Sequence, residues 1–321
     1  MEELEGITDF KLAIVIPGYK NIFIENTLES IANQTNKNFT VYIGDDNSPH
    51  DLGRICREYC GKIRLVYRRF DENLGGTNLV NHWNRCLEMV ADEEWIWLFS
   101  DDDILDENCV QNFYDEIAKS KDIFDVYHFD INIIGENNQI LSSQNQFPEV
   151  LHVKDFILKR SVGCIKSYVV EYIFNRTVLE NLGGFVNFPI AWHSDEATVI
   201  FGASKTGIKT IRGGRVNWRS SEFNITPNST SLKVVEQKIK ASKEFSIWLQ
   251  KFLDTNDIRL NRGMSYYLIK RFCYELHLYR KCISMRDTFA SLKEYIHNLR
   301  LDYWYPFSLL ILLKFHILNK R

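Results

Sequence analysis

The chain has 321 residues, 45% of them apolar and 25% charged, with a formal net charge of −3. That length supports one large domain or two smaller ones with real cores. The near-average composition excludes a fibrous or disordered chain, and the lack of an overall basic field argues against a nucleic-acid partner. Seven cysteines with no CxxC pair read as buried, reduced thiols and not as a zinc site. The acidic start MEELEGITDF has no signal-peptide core, and no apolar run approaches the ~20 residues that span a bilayer. A cytoplasmic protein is expected.

The elements alternate over the first half. Lys11–Pro17 (KLAIVIP) is an apolar, β-branched run that reads as a buried strand ended by Pro17. Ile24–Gln34 carries apolar residues at helical spacing, Phe39–Ile43 is a second strand, Asp51–Cys60 a helix, and Ile63–Tyr67 a third strand. Gly75 and Gly76 open a helix from about Thr77 to Met89, and Trp95–Phe99 (WIWLF) is a fourth strand. Such alternation predicts an α/β sheet whose ligands lie at the carboxyl ends of the strands. Further on, Asp125–Ile134, Tyr168–Phe174 and Ile208–Ile211 read as strands, and Thr177–Leu182 and Asp195–Thr206 as helices. Beyond a boundary near 225–230, Leu232–Phe252, Met264–Ile283 and Asp287–Leu301 are long amphipathic patterns, so the C-terminal region is helical. The last stretch, Tyr303–Arg321, runs aromatic, then apolar, then basic. It fits an interfacial helix on anionic lipid or a terminal helix packed on its own protein.

Polar clusters follow the strands. Asp101-Asp102-Asp103 comes straight after WIWLFS. Adjacent carboxylates repel, and a divalent cation shared with substrate phosphates relieves that repulsion; the bland alternative is a helix cap by Ser100 or Asp101, with a helix from Ile104. Gly44-Asp45-Asp46-Asn47-Ser48 is either a turn or a nucleoside-facing acid pair. Pro17 and Tyr19 offer a rigid exit and an aromatic ring, and Asn73-Leu74-Gly75-Gly76 a close backbone approach before a helix. Trp192-His193-Ser194-Asp195-Glu196 holds either a general base or a helix cap with acids in its first turn. Arg212–Asn224, with three Arg, two Gly and Trp218, reads as a mobile loop able to grip phosphate.

In this order, IPGY, GDDNS, ENLGG, FSDDD, LENLGGF and SDE, the residues resemble the family 2 glycosyltransferases of the GT-A fold, over about residues 11–220. The resemblance implies a Rossmann-like nucleotide-diphospho-sugar transferase sheet, with a donor half over about 11–104, an acceptor half over about 105–227 and a helical region over 228–321. It places Pro17, Tyr19 and Asp45 or Asp46 at the nucleotide base, Asn73 and Gly75 along the donor, and Asp101 at the ribose. Asp102 and Asp103 would hold Mg²⁺ or Mn²⁺. Ser100 stands where the family more often has an acid, which leaves open which two of the three Asp residues serve ribose and metal. Gly183 and Gly184 would lie on the acceptor side, Trp218 and Arg219 in a loop over the diphosphate, and Asp195 would be the base, with Glu196 the alternative. The implied reaction is inverting transfer from a nucleotide sugar, a UDP-sugar first, to a hydroxyl of a saccharide that a polyprenyl lipid carries, on the inner face of the membrane. A catalytically inactive scaffold of the same fold and a sugar nucleotidyltransferase are the rival readings; the latter lacks its Gly-rich, basic loop after the first strand.

Overall fold

The computed structural model describes residues 11–120, 124–144, 146–221 and 231–318, with side chains as far as 315. The 225–230 boundary, the 222–224 end of the expected loop and the basic residues Lys320 and Arg321 lie outside them.

Among the described residues, ten strands form one mixed sheet. Strands β1 (Leu12–Gly18), β2 (Phe39–Asp45), β3 (Leu65–Arg69) and β4 (Trp95–Leu98) run parallel in the order β3-β2-β1-β4. Residues 12–16 of β1 and all of β4 are buried on both faces, which is why they are continuous apolar runs without alternation. Helices α1 (Ile24–Ala32), α2 (Leu52–Arg57) and α3 (Leu79–Leu87) make the crossovers. The sheet continues through β9 (Tyr172–Asn175), antiparallel to β4, then β6 (Val126–Ile134), β10 (Ile208–Arg219) and the two-residue β5 (Ile104–Leu105). β7 (Ile140–Gln144) flanks β6, and β8 (Val150–Leu151) flanks β10. The remaining helices are α4 (Cys109–Lys119), α5 (Val153–Val162), α6 (Arg176–Leu182), α7 (Ser194–Gly202), α8 (Leu232–Thr255), α9 (Arg262–Leu278), α10 (Met285–Asn298) and α11 (Tyr305–Leu318).

Two expectations change. Arg212–Arg219 is strand, not loop: β10 runs on past Ile211, with an irregularity between Ile211 and Val216 where Gly213 takes φ +94°. Its polar residues are satisfied across the sheet, Asn217 by Asn132 at 2.8 Å and by Asp106 at 2.9 Å. The acidic run caps no helix, because β5 and not a helix begins at Ile104.

One apolar core layer runs from Ala13 and Val15 of β1 through Val199 of α7 to Phe245, Leu268 and Leu312 of the C-terminal helices. The helical region thus packs directly on the sheet that carries the strand-end loops.

Candidate active site

The loops at the carboxyl ends of β1, β2 and β4 are tied to one another. Asp46 accepts the backbone N–H groups of Leu74 and Gly75 at 2.8 and 2.9 Å and also pairs with Arg85. Gly75 lets the turn come close: a Cβ there would stand 2.6 Å from the Asp46 carboxylate. Asn73 closes the same turn by accepting Gly76 N–H at 2.6 Å. Asp45 is fully buried, accepting Ser48 N–H at 2.7 Å and the Tyr67 hydroxyl at 2.5 Å. Both carboxylates therefore shape these loops. Beside them Tyr19, after Pro17, is 41% exposed, its backbone fixed by Asp101 on one side and the Ser48 hydroxyl on the other.

The three adjacent carboxylates divide. Asp101 turns back to accept Tyr19 and Lys20 N–H at 2.9 and 2.8 Å. Asp103 accepts Arg219 N–H at 2.6 Å. Asp102 receives the Lys20 ammonium at 2.5 Å and the Ser100 hydroxyl. Burial raises the carboxyl pKa of Asp101 and Asp103, and the Asp102 charge raises both further. Burial pulls the Lys20 ammonium down, but Asp101 and Asp102 outweigh it and hold the group above its usual range. The Lys20 ammonium and the Arg219 guanidinium, which lies against the same turn, are two cations beside three buried acids. Among the described residues no group of three or more His, Cys, Asp or Glu side chains converges as a chelate. Mg²⁺ and Mn²⁺ ask less, one or two carboxylates with water and phosphate oxygens completing the shell. Asp102 and Asp103, which both face a cavity, fit that requirement.

That cavity, of about 530 Å³, is lined by Lys20, Asp102, Asp103, Tyr168, Asp195 and Trp218 among others. Asp103, after β4, and Asp195, at the start of α7, are 92 positions apart in sequence and line one space. The chain reaches α7 through backbone strain. Ile190, Ala191 and His193 have φ of 50°, 59° and 68°, a region L-residues avoid and a β-branched residue most of all. The turn is held because Ser194 Oγ accepts Phe188 N–H at 3.1 Å and His193 reaches Ser242 of α8 at 3.1 Å. His193, not Ser194, is the residue before the helix, and its side chain does not cap it.

Asp195 and Glu196 have opposite surroundings. Glu196 is 2% exposed and gripped from both sides: Arg271 of α9 bonds each of its oxygens at 2.7 Å, and Arg160 of α5 approaches to 3.2 Å. Burial alone would raise its pKa, but Arg271 and Arg160 override that and hold it well below the carboxylate range. Asp195 is half-buried and lines the cavity; burial raises it to about 6, with Arg160 opposing. A carboxylate near 6 is a workable base at neutral pH, whereas one locked in a bidentate pair is not. Tyr168 lines the same cavity, its ring tilted by 31° against Trp218 with centroids 4.3 Å apart, and burial with nearby Glu171, Asp103 and Asp195 pushes its hydroxyl up to about 12.

Other expected site residues lie elsewhere. Arg219 is fully buried in β10, where its guanidinium bonds the carbonyls of Asp102, Gly135 and Glu136 and the Asn138 side chain. It braces the acidic turn, with four of its five N–H donors engaged inside the protein. Gly183 (φ +70°) ends α6, and Gly184 (φ +107°) lies against Asn84, where a Cβ would stand 2.6 Å from the amide; neither lines the cavity. Arg160, Arg271, Lys20 and Tyr168 also line the cavity and had no role in the sequence reading; Trp192, which opened the motif before α7, lines it as well. Only the pairing of a basic residue with Glu196 was open to inference, and its partners stand 36 and 75 positions away.

The sequence profile of glycosyl transferase family 2 matches residues 13–177. A curated relative, glycosyltransferase GlyG of Streptococcus pneumoniae serotype 4, is 26% identical over 167 residues. That match covers 51% of this chain and about half, 49%, of the relative's length. Among solved structures, S. aureus TarS 1-349 in complex with UDP-GlcNAc superposes with a TM-score of 0.57 at 15% identity, covering 93% of this chain and 92% of that one. The same protein with UDP gives a TM-score of 0.52 at 16% identity, with the same coverage. The mixed sheet with its C-terminal helices is the GT-A fold, and the chain belongs to glycosyl transferase family 2.

Proposed function

We propose that the chain transfers a sugar, with inversion, from a nucleoside-diphosphate donor to a hydroxyl of a saccharide acceptor, and that Asp195 is the base. The observation that carries this is the shared cavity, in which Asp102 and Asp103 face Asp195. A UDP-sugar is the first donor to test, since TarS was solved with UDP-GlcNAc. The Tyr19 ring offers a face to the base, beside the loops held by Asp45 and Asp46. Asn73 and Gly75 shape the donor-side turn, and Asp101 fixes the backbone of Tyr19 and Lys20 near the ribose. Asp102, with Asp103, would hold Mg²⁺ or Mn²⁺, which when bound stabilises the charge developing on a leaving diphosphate. Lys20 adds a cation on the same wall. Trp218 and Tyr168 form an aromatic floor suited to a sugar ring.

Asp195 takes the proton of the acceptor hydroxyl as its oxygen bonds to the anomeric carbon. The bond to the diphosphate breaks on the opposite face, and the pair of electrons leaves with the nucleotide. A single base and no covalent nucleophile give inversion. We read residues up to about 227 as the catalytic domain and the helices beyond as its support. No helix of the described residues is long and apolar enough to cross a membrane. The apolar residues Tyr303, Phe307, Leu310 and Leu313 are exposed along one side of the C-terminal segment, which favours a surface that rests on lipid and an acceptor presented there from the cytoplasmic side. Hydrolysis of UDP-GlcNAc and related donors, with and without Mn²⁺, tests the reading. Metal-stimulated release of UDP is expected; no release and no nucleotide binding would favour a scaffold role.

A further inference from the structure

A cavity of about 760 Å³ opens at the irregularity of β10 and shares no lining residue with the catalytic one. It lies where β10 runs between its two short neighbours, β8 at Ile208 and Lys209 and β5 at Val216 and Asn217. The Arg212-Gly213-Gly214-Arg215 stretch, which the catalytic site does not use, forms one wall. Its glycines let β10 lie on α4: a Cβ would stand 3.0 Å from the Asn112 amide at Gly213 and 3.0 Å from the Cys109 sulfur at Gly214. Arg212, Arg215 and Lys159 of α5 line the cavity against two carboxylates, Asp106 and Asp130, so one positive charge is left over. Both carboxylates are engaged within the protein. Asp106 accepts Arg215 N–H at 3.0 Å and the Asn217 amide at 2.9 Å. Asp130 accepts Phe147 N–H at 3.2 Å and pairs with Arg212 at 2.6 Å. Nearby Glu149 is held by Lys209 at 2.7 Å. The Arg215 guanidinium gives one N–H to the Ile131 carbonyl at 3.1 Å and has others to offer. Lys159 is exposed and makes no side-chain hydrogen bond or ion pair among the described residues.

We propose that this cavity binds a saccharide unit bearing a carboxylate, at a place separate from the transfer centre. The carboxylate meets Arg215, whose planar fork suits it, and Lys159. The sugar ring lies over Ile211 and Pro148, with the Gln146 amide within the same wall for its hydroxyls. A free carboxylate ion would leave most of the space unfilled, whereas the volume is of the size that holds a small organic ligand. A phosphate monoester, close to doubly charged at neutral pH, exceeds the single positive charge. An extended acidic peptide has no ladder to join, because the register shifts between Ile211 and Val216 and Gly213 takes φ +94°. A nucleobase has no open ring to stack on: Phe147 is 1% exposed, its face 3.9 Å from the His128 ring. The site stands apart from the proposed transfer reaction.

Ligand-observed NMR titration of the full chain tests it, with glucuronate, glucose, acetate, glucose 6-phosphate and triglutamate as probes. Glucuronate is expected to bind saturably and not to be displaced by excess UDP, with glucose and acetate each at least tenfold weaker. Lys159→Glu, at an exposed position, and Arg215→Gln, both checked for fold by circular dichroism, should each weaken glucuronate at least tenfold and leave UDP binding unchanged. Acetate binding as well as glucuronate would overturn the sugar half. Tighter binding of glucose 6-phosphate would overturn the carboxylate half, and tighter binding of triglutamate would assign the site to an acidic peptide and overturn the proposal. Displacement by UDP, wild-type affinity in both variants, or no binding of glucuronate would overturn it as well.

Discussion

Replacing Arg271 with methionine removes the bidentate partner of a carboxylate that is only 2% exposed. Both Glu196 oxygens lose a bond of 2.7 Å, and what remains is Arg160 at 3.2 Å and the His193 ring at 3.3 Å. Breaking a buried ion pair on one side costs about 3–5 kcal/mol. Because Arg160 still neutralises Glu196, the lower end is expected, ~3 kcal/mol, or a drop of roughly 5 °C in Tm. Glu196→Gln in the same chain removes the stranded charge and should return part of the loss, so the double-mutant cycle should give a coupling of at least ~2 kcal/mol. Urea and thermal unfolding followed by circular dichroism measure it. Turnover should fall in Arg271→Met as well, since α7 carries Asp195 one residue before Glu196. A coupling under ~0.5 kcal/mol would refute the claim that α9 fixes the catalytic helix through this pair.

Three further outcomes are expected. The kcat/KM profile should rise with pH and level off above about 6, because burial raises the Asp195 carboxyl to that value and only its deprotonated form accepts a proton; at pH 5 the rate should be about tenfold below the plateau, and the lack of any acid limb near 6 would count against Asp195. Gly75→Ala places a Cβ 2.6 Å from Asp46 and should cost ~1–3 kcal/mol by overpacking, with weaker UDP binding in a titration; an unchanged Tm would show that the turn has room. Phe307→Glu with Leu310→Glu, at positions 59% and 64% exposed, should leave stability unchanged. It should cut cosedimentation with anionic vesicles at least tenfold, as each side chain forfeits about 1.5–3 kcal/mol of apolar transfer; equal cosedimentation would remove the lipid-facing role of α11.

The parts of the fold written in local patterns were legible. LAIVIP and WIWLF could only be strands buried on both faces, and the C-terminal amphipathic periods could only be helices. The acids at the strand ends were legible for the same reason, since position in the alternation gives them their place. What escaped depends on contacts distant in sequence. β10 looks like a polar loop after Ile211 because Asn217 and Arg219 find their partners across the sheet in Asn132, Asp106 and the Asp102 carbonyl. Helix α4 buries only Cys109, Val110 and Phe113, too few for a clear period. The strain at Ile190 and Ala191 has no local signature, as neither is a residue that favours positive φ. The preference for Asp195 over Glu196 came from the resemblance alone; Arg160 and Arg271, supplied by α5 and α9, give it a physical reason by pairing with Glu196.

The most direct test of the central claim compares the wild-type chain with Asp195→Asn for UDP-sugar binding and turnover in the presence of Mn²⁺. Donor affinity should change by less than about threefold, while turnover should fall by about a hundredfold or more, the scale expected for loss of a general base. An Asp195→Asn chain that turns over at the wild-type rate would contradict the assignment.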